Sequence, residues 1–355
     1  MNRKLPISVV VLTYNEEQNI RHCLESVKDL VDEIFIVDSG SNDKTLQITK
    51  DYTDKIHYNQ FETHSKQWNW ALGTLPIRND WILGLDADQA VTPELAHEMA
   101  TIFCKNESKE PRPQGGALKP KFFKPRTEIP KQVRDDKKRE PNPAVMLNLF
   151  QHLVRIFAAF GRHTFHPRPQ DGVFRCDLNR CEGYYIKRRQ MFLGKWIRHG
   201  GYYPYYLLKL FRKDCVKVEE REFIDHHFYV KGNTGKLKND LIEWNHKEDD
   251  LSFWIDKHNK YATFQAIEEI SHRNADKGNF FGNNDQRRLW LKNRIWRRLP
   301  LFGRPFLYFL YRYFFRLGFL DGKEGLIFHF LQGFWYRFLV DAKIYEMKKK
   351  QIYDT

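Results

Sequence analysis

The sequence predicts an α/β fold: a mostly parallel sheet flanked by helices, followed by a helical C-terminal region. Three observations carry that expectation. Short β-branched or apolar runs recur at Ile7–Leu12, Ile34–Val37 and Trp81–Leu85, each of a length suited to a strand buried on both faces. Each run stops at a polar loop, and helical periodicity follows, which is the βαβα order of a parallel sheet. Beyond Leu289 the pattern changes to Arg and Lys mixed with Phe, Tyr, Trp and Leu.

The elements are justified in chain order. After the first run, Ile20, Cys23, Leu24, Val27 and Val31 recur at helical spacing. The second run ends at Asp38-Ser39-Gly40-Ser41-Asn42-Asp43, a loop, and a helix is expected from about Lys44. A short strand near Ile56–Tyr58 and a helix over Lys66–Leu75 come next. The third run stops at Asp86-Ala87-Asp88, after which Thr92 caps a helix whose first residue is Pro93. Residues 105–180 are rich in Pro and basic residues and weak in periodicity, so they are expected to be an insertion, with a helix only over Ala144–Phe160. Strand signals resume at Gly183–Ile186 and Tyr206–Phe211, and Leu241–Ile270 is expected to be helical in two pieces. The implied organisation is 1–104 and 181–275 as two halves of one domain, 105–180 as the insertion, and 276–355 as the C-terminal helices.

A chain of 355 residues with 41% hydrophobic and 29% charged residues has the make-up of a globular protein with a sizeable core. The net charge of +14 points to an anionic partner: nucleic acid, an anionic membrane surface or a phosphorylated substrate. No zinc-finger or RNP-like string supports nucleic acid, which is not expected as a partner. The five cysteines (Cys23, Cys104, Cys176, Cys181, Cys215) form no C-x-x-C pair, and reduced thiols are expected. The N-terminus runs into a strand without a signal-peptide apolar region, so a cytoplasmic location is expected. No uncharged apolar run approaches the ~20 residues needed to span a bilayer.

The residues with chemistry sit at the ends of the strands, where ligands collect in such sheets. Asp86 and Asp88 are spaced to share a hard divalent cation and a diphosphate, neutralising charge on a leaving diphosphate. A surface acidic turn has the same spelling. Asp38, followed by Ser39 and Gly40, can hydrogen-bond a ribose or base edge while the glycine lets the backbone approach the ligand; an ordinary strand-to-helix turn is the other reading. In Thr13-Tyr14-Asn15-Glu16-Glu17, Thr13 and Asn15 can contact a base or ribose, and Glu16 equally suits the first turn of a helix.

Taken in order and spacing, V-V-L-T-Y-N-E-E, I-V-D-S-G-S-N-D-K-T, S-K-Q-W-N-W-A-L and L-D-A-D-Q-A-V-T-P-E-L resemble the family 2 glycosyltransferases of the GT-A fold. The resemblance resumes at Gly183-Tyr184-Tyr185-Ile186, Trp196–Gly201 and Leu210–Arg212, then at Lys257–Ala262 and Gly318–Gly322. Within the family the chain is similar to bacterial lipopolysaccharide-core and exopolysaccharide transferases. The resemblance implies that Thr13, Asn15, Glu16, Asp38, Ser39, Gly40, Asp86 and Ala87 surround a nucleotide-sugar, usually carrying uridine, with Lys66 reaching the donor. It implies Mg²⁺ or Mn²⁺ on Asp88 and Asp86, with His227 available to metal or phosphate, and inversion at the sugar carbon. It also implies a saccharide or lipid-linked saccharide acceptor and enzyme work at the inner face of the plasma membrane.

Inversion needs a base to deprotonate the acceptor hydroxyl. Related transferases read Asp-Glu-His where this chain has Asp225-His226-His227. Asp225 as base is the favoured reading; His226 in that role, or impaired turnover, are the others. The basic-aromatic run Arg304–Arg316 has two readings of its own. It can lie in an anionic membrane interface, or it can pack on the catalytic domain with its arginines snorkelling outward.

Overall fold

The computed structural model describes residues 4–107, 178, 181–218, 228–271, 290 and 296–353. All of them belong to one compact unit, Met1–Glu107 together with Thr164–Thr355. Most of the expected insertion, including Ala144–Phe160, lies outside the described residues.

The α/β expectation holds. The N-terminal half runs β1 (Leu5–Thr13), α1 (Ile20–Glu25), β2 (Val31–Asp38), α2 (Thr45–Thr49), β3 (Ile56–Tyr58), α3 (His64–Thr74), β4 (Trp81–Asp86), β5 (Gln89–Val91) and α4 (Pro93–Glu107). The second half adds β6 (Gly183–Phe192), β7 (Lys195–Ile197), β8 (Tyr205–Arg212), β9 (Val216–Val218), β10 (Phe228–Val230) and β11 (Thr234–Glu243). It continues with α5 (Leu251–Ser271), α6 (Gly303–Leu310), α7 (Gly322–Phe328) and α8 (Tyr336–Tyr353). Among the described residues, nine strands make one sheet in the order β3-β2-β1-β4-β8-β6-β11-β5, with β7 on β6. Pairing is parallel from β3 to β4 and again between β6 and β11, and antiparallel at the remaining joints.

Both faces of the parallel strands are covered, which is why β1, β2 and β4 spell nearly continuous apolar runs. Val9 and Val11 pack with Ile20, Leu24, Leu95 and Met99 on one side. Val10, Phe35 and Ile82 pack with Trp68 and Ala71 of α3 on the other. Gly84 marks the closest approach on that side: a Cβ there would lie 3.0 Å from Trp68 and 3.3 Å from Phe228. Absence of a side chain therefore lets α3 seat its tryptophan against the strand that ends at Asp86.

Two expectations are corrected. Leu241–Glu243 belong to β11, which pairs with both β6 and β5, and the helix that follows is one piece, Leu251–Ser271. Apolar residues at 241 and 242 fit either period, and partners from distant strands decide for the sheet. Cys23, Cys104 and Cys215 are free thiols, whereas Cys181 is disulfide-bonded. By contrast, Thr92 caps α4 as anticipated, its hydroxyl accepting from Leu95 N at 3.2 Å.

The C-terminal helices are fastened by buried charge. Arg304, 2% exposed, donates to Asp341 of α8 through Nε at 2.7 Å and also through Nη2, which reaches Glu269 of α5 at 3.0 Å. Arg312 lies over the Tyr202 ring and donates to Gly200 O at 2.7 Å. Neither arginine snorkels; both bind protein. His199 and Asp321, from two strings of the family resemblance, meet at 2.6 Å, and Asp321 also accepts the His199 N–H at 2.9 Å.

Candidate functional site

The register of the sheet sets three strand ends side by side. Thr13 pairs with Asp38 across β1 and β2, and Leu12 pairs with Asp86 across β1 and β4. With strands ~4.8 Å apart, Asp38 and Asp86 stand on either side of Thr13 at the carboxyl edge of the parallel half.

The first two loops are zipped together by hydrogen bonds. Asn15, in the left-handed conformation at φ 54°, donates its N–H to Ser41 Oγ at 2.8 Å and accepts from Asn42 N at 2.9 Å through Oδ1. Glu16 N donates to Thr45 Oγ1 at 2.7 Å, and Glu17 N to Asp43 Oδ2 at 3.1 Å. Asp38 is buried, and its carboxylate accepts from Thr13 Oγ1, Gly40 N, Ser41 N and Ser41 Oγ. Those four donors match its usual acceptor capacity, so Asp38 organises the loop from inside. Gly40, at φ 95°, provides the turn that brings both N–H groups onto one oxygen. Ser39 is reached by Gln67 Nε2 at 3.1 Å, which ties this loop to α3. Lys66, beside Gln67 in the first turn of α3, is ion-paired with Glu62 at the surface.

The third loop is the D-A-D turn between β4 and β5. Gln89, buried, accepts from Asp86 N at 3.2 Å and donates to Glu243 at 2.8 Å. Trp244 N donates to Asp88 O at 2.9 Å, so the turn is held from both ends. Ala87 is buried within it. The Asp86 carboxylate pairs at 2.8 Å with Lys209 of β8, a lysine only 3% exposed. Glu243 accepts a two-pronged contact from Arg188 Nη1 at 2.7 and 2.9 Å.

Asp88 differs from its neighbours. Among the described residues no hydrogen bond or ion pair reaches its carboxylate. Burial pushes its pKa well above the ordinary carboxylate range, and the charges of Glu243, Asp86 and Glu16 push it further, against Lys257. Opposite, the Asn15–Asn19 loop is tied to the segment after β11. Glu16 accepts from Lys247 at 2.6 Å and from Asn19 at 2.7 Å, and Asn19 meets Asn245 at 3.0 Å and His246 N at 2.8 Å.

Among the described residues no three His, Cys, Asp or Glu side chains converge on one metal position. The donor set nonetheless fits a hard cation of the Mg²⁺ or Mn²⁺ kind. Such ions take one or two carboxylates and complete their shell with phosphate oxygens and water. Asp88, unbonded and crowded by negative charge, is the oxygen donor such an ion would relieve, with Asp86 two residues away. Asp225, His226 and His227 lie outside the described residues. Sequence reasoning missed Lys209, Gln89, Arg188, Glu243 and Lys247. A lysine within the alternating Tyr206–Phe211 run was the one local signal, for Lys209; each of the others has a partner more than 50 residues away.

The chain is 36% identical over 98 residues to an uncharacterized glycosyltransferase of Rickettsia bellii, covering 28% of this chain and 33% of that protein. It is 32% identical over 100 residues to the prophage-derived glycosyltransferase SunS of Bacillus subtilis, covering 27% and 23%. The chain thus spans about a third, or less, of the length of these relatives. Among solved structures, S. aureus TarS bound to UDP-GlcNAc shares 27% identity over 32% of this chain and 37% of that one, at a TM-score of 0.24. Residues 8–112, which hold all three loops, match the family described as Glycosyl transferase family 2.

Proposed function

We propose that the chain is an inverting glycosyltransferase that moves a sugar from a UDP-sugar to a lipopolysaccharide-core or lipid-linked saccharide. The observation that carries the reading is the row of strand ends, Thr13, Asp38 and Asp86, with Asp88 beside it, inside the stretch that matches glycosyltransferases. Uridine and the acceptor class rest on the family resemblance of the motifs. The surplus of positive charge supports a phosphate-bearing donor and an anionic acceptor.

In this reading Thr13, Asn15, Glu16, Ser39 and Gly40 line the nucleoside, and Asp38 sets the loop that does so. Lys66 approaches the donor from α3. Asp88 and Asp86 would hold Mg²⁺ or Mn²⁺, with His227 a further candidate ligand to metal or phosphate; the ion would supply neutralisation of the departing diphosphate. Lys209 holds the Asp86 carboxylate in position through their ion pair. Asp225 takes the proton from the acceptor hydroxyl as that oxygen attacks the sugar carbon opposite the diphosphate, with His226 as the other candidate.

The test is release of UDP from UDP-glucose and UDP-N-acetylglucosamine in the presence of saccharide acceptors and Mn²⁺. Asp88→Asn is expected to lower the rate by about a hundredfold or more, the scale at which lost transition-state electrostatics act. Asp225→Asn is expected to abolish transfer and leave UDP binding intact. Full activity in Asp225→Asn with loss in His226→Ala would move the base to His226, and turnover unchanged in Asp88→Asn would sink the proposal.

A further inference from the structure

Of the 21 large hydrophobic side chains that are exposed among the described residues, 12 lie between Phe302 and Tyr345. Four of them, Phe302, Phe338, Phe330 and Phe314, stand along one row of rings that the half-buried Phe334, Phe309 and Tyr313 connect. Phe302 meets Phe338 with ring centroids 5.2 Å apart, Phe338 meets Phe334 at 5.7 Å, and Phe334 meets Phe330 at 5.4 Å. The line continues from Phe330 to Phe309 at 6.1 Å and from Phe309 to Tyr313 at 5.4 Å. Phe314 and Phe315 stand at its end, 52% and 63% exposed. Single exposed apolar residues are ordinary on a protein surface, whereas a connected row marks a contact surface.

Charge identifies the occupant. Residues 296–353 carry 11 Lys and Arg against four Asp and Glu. Each of the four carboxylates is already held by a basic group: Asp321 by His199, Glu324 by Lys195, Asp341 by Arg304 and Glu346 by Lys350. Two copies of so basic a region would repel one another, while an anionic surface attracts it. No helix among the described residues is long and apolar enough to cross a membrane, which leaves the interface as the depth such a face can reach.

We propose that the strip from Phe302 to Phe315 and Phe338 is a peripheral docking surface for an anionic lipid bilayer. Its rings enter the headgroup boundary, and the lysines and arginines of the same region other than Arg304 and Arg312, which are engaged within the protein, meet lipid phosphates. The strip is joined to the sheet through Asp321–His199 and Lys195–Glu324, beside the β6–β7 hairpin, so docking holds the sheet at the lipid surface. The proposal goes beyond sugar transfer and does not depend on it.

The experiment is co-sedimentation of the full chain with vesicles of phosphatidylcholine alone or mixed with phosphatidylglycerol. Binding is expected to require the anionic lipid and to weaken as salt is raised. The double substitution Phe314→Ser, Phe315→Ser is expected to lower the partition coefficient by about tenfold or more, given the apolar area withdrawn. Both rings are exposed, so the thermal transition should stay where it is in the wild type. As a readout independent of any variant, the vesicles should slow amide hydrogen exchange across residues 302–338 of the unaltered chain. Partitioning unchanged by the substitutions would overturn the proposal. So would absence of binding to anionic vesicles, or self-association of the free chain that the same substitutions abolish, which assigns the strip to a second copy.

Discussion

Glu33 shows how a single side chain couples the sheet to pH. It is buried at the start of β2, where it accepts from Ser8 Oγ at 2.7 Å, Lys55 Nζ at 2.6 Å and Arg78 Nε at 2.7 Å. Burial alone would raise its pKa; the bonds from Lys55, Ser8 and Arg78 outweigh that and lower it to about 2. A carboxylate lowered on folding stabilises the native state above its unfolded pKa, and the contribution is lost as pH falls from about 4.5 towards 2. The span corresponds to about 3 kcal/mol. Thermal melts between pH 6 and pH 2.5 should therefore show a steep acid limb that flattens in Glu33→Gln; parallel limbs would refute this assignment. Residues of this kind were poorly legible in the sequence. Asp38, Asp86 and Asp88 stood out because each follows a buried strand. Glu33 and Lys209 looked like ordinary strand residues, since what makes them special is a partner brought by another strand.

At the level of elements, legibility tracked the distance between partners. β1 to β4 alternate with helices in consecutive βα units, and these strands were readable within a few residues because each carries its own apolar run and bounding loop. Strands β5, β7 and β11 are short or weakly patterned and exist through pairing with neighbours far along the chain. The β6–β7 hairpin turns at Leu193-Gly194, with Leu193 at φ 47°, a position where sequence reasoning looks for Asn or Asp. In the C-terminal helices the arginines read as outward-facing cations, yet Arg304 is the buried junction of α5, α6 and α8. Arg304→Ala leaves Glu269 and Asp341 buried without their counterion and is expected to destabilise the chain by about 3–5 kcal/mol. Denaturant unfolding measures this directly. A loss below about 1 kcal/mol would show that the junction is wet or relaxed.

Over the whole molecule, the parallel half supplies loops that meet at one edge, and β6, β8 and β11 extend the sheet past the D-A-D turn. From that second half come Lys209 against Asp86, Arg188 and Glu243 behind Gln89, and Lys247 against Glu16. The site is thus assembled by both halves, although its sequence signature lies in the first. Three neighbouring carboxylates, Glu243, Asp86 and Glu16, and one lysine, Lys257, surround Asp88, whose own carboxylate receives no hydrogen bond among the described residues. The most direct test is thermal stabilisation by UDP with and without Mn²⁺, in the wild type and in Asp88→Asn. Tm is expected to rise with UDP and further when Mn²⁺ is added, with a metal-dependent part that shrinks or vanishes in the variant. An equal metal-dependent rise in both proteins, or no rise with UDP in the wild type, would contradict this.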